Sequence, residues 1–328
     1  MSTRFDVVTI GEILVEIMRK QKDVPHNVAG EYLGPYPSGA PAIFADSAAR
    51  LGLNSAIIGV VGEDDFGELL LGRLRRDGVN TEAVKTARGY TTGIAFVMYR
   101  SSGERRFLFH LRHSAAGKLR PSDVAREKVG NSRALHIMGS SLSVSASSRK
   151  ACERAASIAL DSGLKITFDP NLRPELIGIS KIRKLCLPIL RHSEIVMPSK
   201  TEAEAITGEK DVVEAGLRLL EEGAKMAVVK MGSQGSVAVL NSREAVWAPA
   251  YPVEEIDPTG AGDVFDAAFV YMYLRGESVE RCLEFANAAG AIKVTRFGPM
   301  EGPSSAEEVS AFMARNEEIS KKVMRRNL

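Results

Sequence analysis

The segment Asp257-Pro258-Thr259-Gly260-Ala261-Gly262-Asp263 sets acids, a proline and glycines side by side, and Val264, Phe265, Ala268 and Phe269 follow at helical spacing. This pattern reads as a tight loop opening into a buried helix. Gly260 and Gly262 let the backbone turn sharply and let a ligand come close. The N–H groups of Gly260, Ala261, Gly262 and Asp263 would be the unpaired donors of the first helical turn. Those donors and the helix dipole suit an anion, most naturally a phosphate. A carboxylate at the mouth of such a site repels the anion, so Asp263 needs a purpose. General base catalysis beside a transferring phosphoryl group is one. The other is structural: a capped helix start with Asp263 as a dipole-matched surface acid.

Further residues with chemical capacity stand at the ends of apolar runs. Glu12 and Glu16 follow the run Phe5 to Ile10, and open α/β sheets bind ligands outside the carboxyl ends of their strands. Solvated acids are the alternative for both. Gly39, in Ser38-Gly39-Ala40-Pro41, heads a helix of small residues and offers a second site for a polar ligand. Pro170 and Pro174 stiffen a loop that carries Asn171 and Arg173 at the end of the strand Ile166 to Asp169. Lys230, followed by Gly232 and Gly235, can present a cation and open backbone to phosphates, or be a solvated lysine on an ordinary hairpin. His136 sits inside an apolar strand and reads as a core histidine.

The elements that must position these residues alternate, strand then helix, along most of the chain. That implies one doubly wound, mostly parallel sheet with helices on both faces, a three-layer α/β/α fold. Residues 91–112 change to a period of two around Ser101-Ser102-Gly103, with Phe107, Phe109 and Leu111 alternating with Arg106, Leu108, His110 and Arg112. This reads as a β-hairpin in a separate small sheet. The expected organisation is a single domain over residues 1–328, with a lid formed by about 13–37 and 89–114. A lid would exclude water during phosphoryl transfer; a surface decoration or a dimer ribbon is the other reading.

The totals exclude several classes of partner. Among 328 residues, 45% are hydrophobic and 26% charged, and the formal net charge is +2. Such a balance argues for neither a nucleic-acid nor a membrane partner. The basic cluster Lys321, Lys322, Arg325 and Arg326 suits a helix C-terminus. Cys152, Cys186 and Cys282 lie far apart without metal-ligand spacing, as in a cytoplasmic protein with reduced thiols. No apolar run is long enough to span a bilayer, and the N-terminus reads as a first strand, not a signal peptide.

Residues 257–265 resemble the C-terminal signature of the ribokinase-like (PfkB) carbohydrate kinases, and residues 59–67 their N-terminal signature. The resemblance runs from Val7 to about Val309. It implies an ATP-dependent, Mg²⁺-dependent sugar kinase of ribokinase-like fold. Asp263 would deprotonate a primary hydroxyl, and Gly260, Ala261 and Gly262 would form the anion hole for the γ-phosphoryl group. Glu202 matches the acid of the family's N-x-x-E motif, which arranges Mg²⁺ through water, with Ser199 where the motif has asparagine. Lys230, Gly232 and Gly235 match a nucleotide-side K-x-G-x-x-G, and Asn287 a residue near the adenine. Asp257 and Thr259 stand where some members bind a monovalent cation, K⁺. On the sugar side the resemblance implies ligand contacts for Glu16, Gly39, Arg112 and Arg173.

Residues 37–42 and 113–117 resemble the tagatose-kinase branch, near the fructokinases. The expected substrate is therefore a ketohexose resembling tagatose or fructose. Arginines at 112 and 173 would also suit a sugar-acid carboxylate, which keeps 2-keto-3-deoxygluconate as the alternative. The expected partners are the sugar and ATP, with a homodimer formed through the lid.

Overall fold

The computed structural model describes residues 5–102, 104–241, 244–320 and 322–328. In chain order the strands are β1 (Phe5–Ile10), β2 (Leu14–Arg19), β3 (Tyr32–Ser38), β4 (Ser55–Gly62), β5 (Val84–Ala87), β6 (Gly93–Tyr99) and β7 (Arg105–His110). There follow β8 (Ser132–Met138), β9 (Lys165–Asp169), β10 (Ile195–Val196), β11 (Met226–Lys230), β12 (Ser236–Asn241), β13 (Glu244–Ala248) and β14 (Met324–Asn327). A 10-stranded sheet has the order β14-β13-β12-β11-β10-β9-β8-β1-β4-β5, and a 4-stranded sheet the order β3-β2-β6-β7. From β5 across to β11 the large sheet is parallel. From β11 to β14 it is antiparallel.

The large sheet is central because its strands are apolar on both faces. In β1, Val7 points into one core and Val8 into the other. The first core packs Val7, Ile57 and Val61 against Phe44, Phe269 and Leu283 of the helices Ala40–Arg50, Ala261–Leu274 and Val279–Val294. The second packs Val8, Ile10 and Ile58 against Ala151, Ile182 and Leu219 of the helices Ala146–Asp161, Ile179–Leu190 and Val212–Glu221. Each fully buried Val, Leu, Ile or Phe side chain contributes roughly 1.5–3 kcal/mol. The expected three layers are therefore present, with an antiparallel margin added beyond β11.

The small sheet branches from the large one within a few residues. Ile10 ends β1, Leu14 begins β2, and Glu12 lies in the crossing between the two sheets. Strands β6 and β7 form the expected antiparallel hairpin, with Ile94 opposite His110 and Tyr99 opposite Arg105. Gly103, expected in its turn, lies outside the described residues.

The basic cluster near the C-terminus departs from expectation. Arg325 and Arg326 belong to β14, which pairs with β13. Arg325 bonds Glu280 at 2.7 Å. These arginines dress a sheet margin instead of ending a helix, because the chain turns back after the short helix Glu317–Ser320. Lys321 lies outside the described residues. No helix among the described residues is long and apolar enough to cross a membrane.

Candidate active site

The helix Ala261–Leu274 begins at Gly260, whose backbone is left-handed at φ 83°. A Cβ on Gly260 would lie 2.3 Å from the Pro299 carbonyl oxygen. Both facts demand glycine here. The Ala261 N–H donates to the Pro258 carbonyl at 3.2 Å, so the turn engages one donor expected to be open. Gly262 is exposed, and the nearest atom to a Cβ built there is Lys230 Nζ, at 3.5 Å. At Gly262 the loop thus faces open space with an ammonium group beside it.

Asp263, one residue further, is not the surface acid of the structural reading. It is 7% exposed and lines a pocket together with Glu12, Glu16, Gly39, Arg105 and Arg173. Asn171 Nδ2 lies 3.4 Å from Asp263 Oδ1. Burial raises the Asp263 pKa to about 7; nearby Asp169 adds to the rise, and Lys230, Arg173 and Arg105 oppose it. A carboxyl poised near neutral pH can take up a proton and still be ionised in a large fraction of molecules.

Lys230 is neither a solvated lysine nor a freely offered cation. Its ammonium donates to Asp169 Oδ2 at 2.9 Å and to Asp266 Oδ1 at 2.9 Å. Burial works against the charge, but the two carboxylates override it and raise the Lys230 pKa. Attraction to Lys230 lowers the Asp169 pKa against burial, whereas burial raises that of Asp266. The Asn171 N–H in turn donates to Asp169 Oδ1 at 2.9 Å. Asp169 therefore links the lysine to the residue that faces Asp263.

More of the pocket wall comes from β2, β3 and β7. Glu16 Oε1 accepts from Ser38 Oγ at 2.6 Å. Its Oε2 is buried and has no hydrogen-bond partner among the described residues. Burial raises the Glu16 pKa to about 7, with Ser38 and Arg105 opposing. Glu12 accepts from Ser140 Oγ and Ser141 Oγ, both at 2.6 Å. Gly39 has φ 107°, and a Cβ there would meet the Glu12 carbonyl oxygen at 2.6 Å. Arg105 and Arg173 stand 5.8 and 5.7 Å from the centre of the Phe107 ring.

Arg112 is exposed and does not line this pocket. Along β7, Arg105, Phe107 and Phe109 share the half-buried face, whereas Arg106, Leu108 and His110 share the exposed face. Arg112 lies two residues past the end of β7, in a turn, and Arg105 brings a guanidinium to the pocket. His136, as expected, is a core residue. It is fully buried, stacks on Phe44 at 3.8 Å, and has its pKa lowered to about 3 by burial.

On the opposite side of the loop, Gly232 and Gly235 turn the chain between β11 and β12, both with positive φ. A Cβ on Gly235 would lie 2.1 Å from the Ala248 carbonyl oxygen. That same carbonyl accepts from Asn287 Nδ2 at 3.1 Å. Asn287 and Gly235 thus meet at the end of β13. Glu202 is held in a capping box: its Oε2 accepts from Ser199 N–H at 2.8 Å and Ser199 Oγ at 2.7 Å. Its Oε1 accepts from Leu172 N–H at 2.7 Å.

No group of three or more acids, cysteines or histidines among the described residues has metal-cage geometry. Mg²⁺ is usually carried by nucleotide phosphates and keeps several of its own waters, and Glu202 is the fixed carboxylate that would face one of them. With two bonds accepted at Oε2 and one at Oε1, the Glu202 carboxylate keeps one acceptor position of about four, on Oε1, for such a water. The monovalent cation fits poorly: both Asp257 carboxylate oxygens accept from protein donors, Oδ1 from Tyr99 OH and Thr259 N–H and Oδ2 from Gly298 N–H.

Sequence reasoning did not single out Arg105, Ser140, Ser141, Asp266 or Lys293. The period of β7 was available for Arg105. Asp266 stands three residues after Asp263, hence on a neighbouring stripe of the same helix. Nothing in the sequence marks the two serines or Lys293.

The model for "pfkB family carbohydrate kinase" matches residues 4–306. The chain is 34% identical over 320 residues to "Fructokinase-1" of Oryza sativa subsp. japonica, covering 94% of this chain and 97% of that protein. A crystal structure described as "a putative Ribokinase II in complex with ATP and Mg+2 from E.coli" is similar, with TM-score 0.87, 41% identity and coverage of 94% and 99%. So is that of "Fructokinase from Vibrio cholerae O395 in fructose, ADP and calcium ion bound form", with TM-score 0.83, 25% identity and coverage of 95% and 99%.

Proposed function

The chain belongs to the pfkB family of carbohydrate kinases, ATP-dependent sugar kinases, and from that premise we propose that it phosphorylates a primary hydroxyl of a ketohexose, fructose or tagatose. Asp263 is the general base. The loop Gly260–Gly262 stabilises charge on the transferring group, and the small sheet is the lid. In-line positioning and electrostatic stabilisation supply most of the rate. Mg²⁺ bound to the phosphates would neutralise their charge, with Glu202 orienting one of its waters. Gly232, Gly235 and Asn287 shape the nucleotide side. Lys230 acts as a charged strut under the loop and not as a free phosphate ligand.

The observation that carries the reading is Asp263, buried beside Glu16, Gly39 and Arg173 at the start of a glycine-flanked helix. The curated fructokinase relatives support a hexose. The buried, unpartnered Glu16 Oε2 supports a hydroxyl-bearing ligand, since it needs a donor. Arg105 and Arg173 line the same pocket and are the reason to keep 2-keto-3-deoxygluconate as a second reading. They stand among the carboxyls Glu12, Glu16 and Asp263, which favours a neutral sugar. Leu108, 50% exposed on the outer face of β7, supports a homodimer formed through the lid.

The test is ADP release with ketoses, aldoses and keto-sugar acids. The expected outcome is highest kcat/KM for fructose or tagatose. A preference of more than about tenfold for 2-keto-3-deoxygluconate, about 1.4 kcal/mol of discrimination, would transfer the assignment to the acid. No turnover with any sugar that binds would overturn the kinase reading of the pocket.

A further inference from the structure

Lys293 is 0% exposed, yet its hydrogen-bond acceptors among the described residues are backbone carbonyls and not carboxylates. Its ammonium instead donates to two backbone carbonyl oxygens, of Asp257 at 2.8 Å and Arg296 at 3.1 Å. A buried charge is costly unless it is compensated. Here the compensation comes from carbonyl dipoles near the last turn of the helix Val279–Val294, where a cation is favoured. Backbone carbonyls converging on one compact cation are the ligand set of a bound alkali-metal ion, supplied here to a tethered ammonium.

The loop that Lys293 grips is the one that makes the phosphate site. Asp257 is the hub: its carbonyl takes Lys293, and its carboxylate takes Tyr99 OH at 2.8 Å, Thr259 N–H at 2.9 Å and Gly298 N–H at 2.9 Å. Gly260 lies three residues after Asp257 and directly follows Thr259, one of these contacts. The Gly260 conformation is therefore tied through Asp257 to the ammonium. With both carboxylate oxygens of Asp257 engaged and its carbonyl facing Lys293, a second cation would meet a positive charge.

We infer that Lys293 is a built-in cation that positions the Asp257–Gly260 loop, so that this enzyme needs no K⁺. Lys293 touches no reacting atom and acts through Asp257; it is a positioning residue. The inference rests on the phosphate reading of the loop, and its test has a readout that does not require turnover.

Full-length protein is assayed for ADP release, and for thermal unfolding without substrate, in KCl and in tetramethylammonium chloride of equal ionic strength. The wild type should differ by less than about twofold in kcat. Its Tm should differ by less than about 3 °C. Lys293→Ala should lose at least about tenfold in kcat in tetramethylammonium. It should then regain most of that rate, and its Tm should rise, in NH₄⁺ or K⁺. A wild type that needs K⁺ for more than about tenfold of its rate, or whose Tm climbs by more than about 3 °C in KCl, overturns the inference. A folded Lys293→Ala that neither loses rate nor responds to the small cations does so as well. If that variant does not fold, the wild-type comparison alone decides. A protein that turns over no sugar would count against the sugar assignment, while its Tm would still judge Lys293.

Discussion

The Lys230 ammonium lies 2.9 Å from the Asp169 carboxylate, and it is also the nearest atom to any side chain that might be built on Gly262. With Asp266 as its second partner at 2.9 Å, Lys230 therefore joins the end of β9 to the helix that follows the Gly260–Gly262 loop. Through Asn171, which contacts both Asp169 and Asp263, the same pair is connected to Asp263. The two sides of the site are held by one buried network, and the following outcomes depend on it.

Lys230→Met should destabilise the protein by about 3–5 kcal/mol, because it leaves Asp169 and Asp266 buried without their cation. Denaturant unfolding measures the loss. A change below about 1 kcal/mol would show that the ammonium is not what compensates these acids.

The rate should follow the ionisation of Asp263. Burial raises its pKa to about 7, and a base works only when ionised. The kcat/KM profile should therefore fall roughly tenfold per pH unit below about 7 and level off above it. Arg173 opposes the rise, so Arg173→Ala should move that limb to higher pH. A wild-type profile flat from about pH 5.5 to 8 would remove Asp263 from the rate-determining protonation.

Arg105→Ala should raise the KM for sugar by about tenfold or more, the cost of one charge-assisted contact. Arg112→Ala should stay within about twofold, as expected of an exposed side chain away from the site. Steady-state kinetics on the two variants distinguishes them, and the reverse order would restore Arg112 to the pocket.

These two arginines show how far the sequence could be read. The alternation along β7 was visible, and it already placed Arg112 with Arg106, Leu108 and His110. The resemblance nonetheless drew Arg112 toward the sugar. The layers of the large sheet, the hairpin and the helix starts at Gly39 and Gly260 follow from local periodicity and glycine placement, which is information carried by neighbours in the chain. The Lys230–Asp169–Asp266 triangle and the Lys293 grip on Asp257 join residues dozens of positions apart. A lysine next to glycines looks the same in sequence whether it faces water or two buried acids.

Gly260→Ala should both destabilise and inactivate. Its backbone is left-handed and the added Cβ would press on Pro299, so the loss should exceed about 1 kcal/mol, with kcat falling as the loop shifts. Tm and kcat report it together. An alanine variant with wild-type values of both would mean that the loop tolerates another shape.

The most direct measurement is turnover and sugar binding by Asp263→Asn. The substitution keeps the size of the side chain and its place beside Asn171, and removes the base. With ATP and the preferred ketohexose, kcat should fall by at least about 10²-fold, the lower bound for a general base, while sugar Kd changes by less than about threefold. Retention of more than about a tenth of the wild-type kcat would contradict the central claim that Asp263 accepts the substrate's proton.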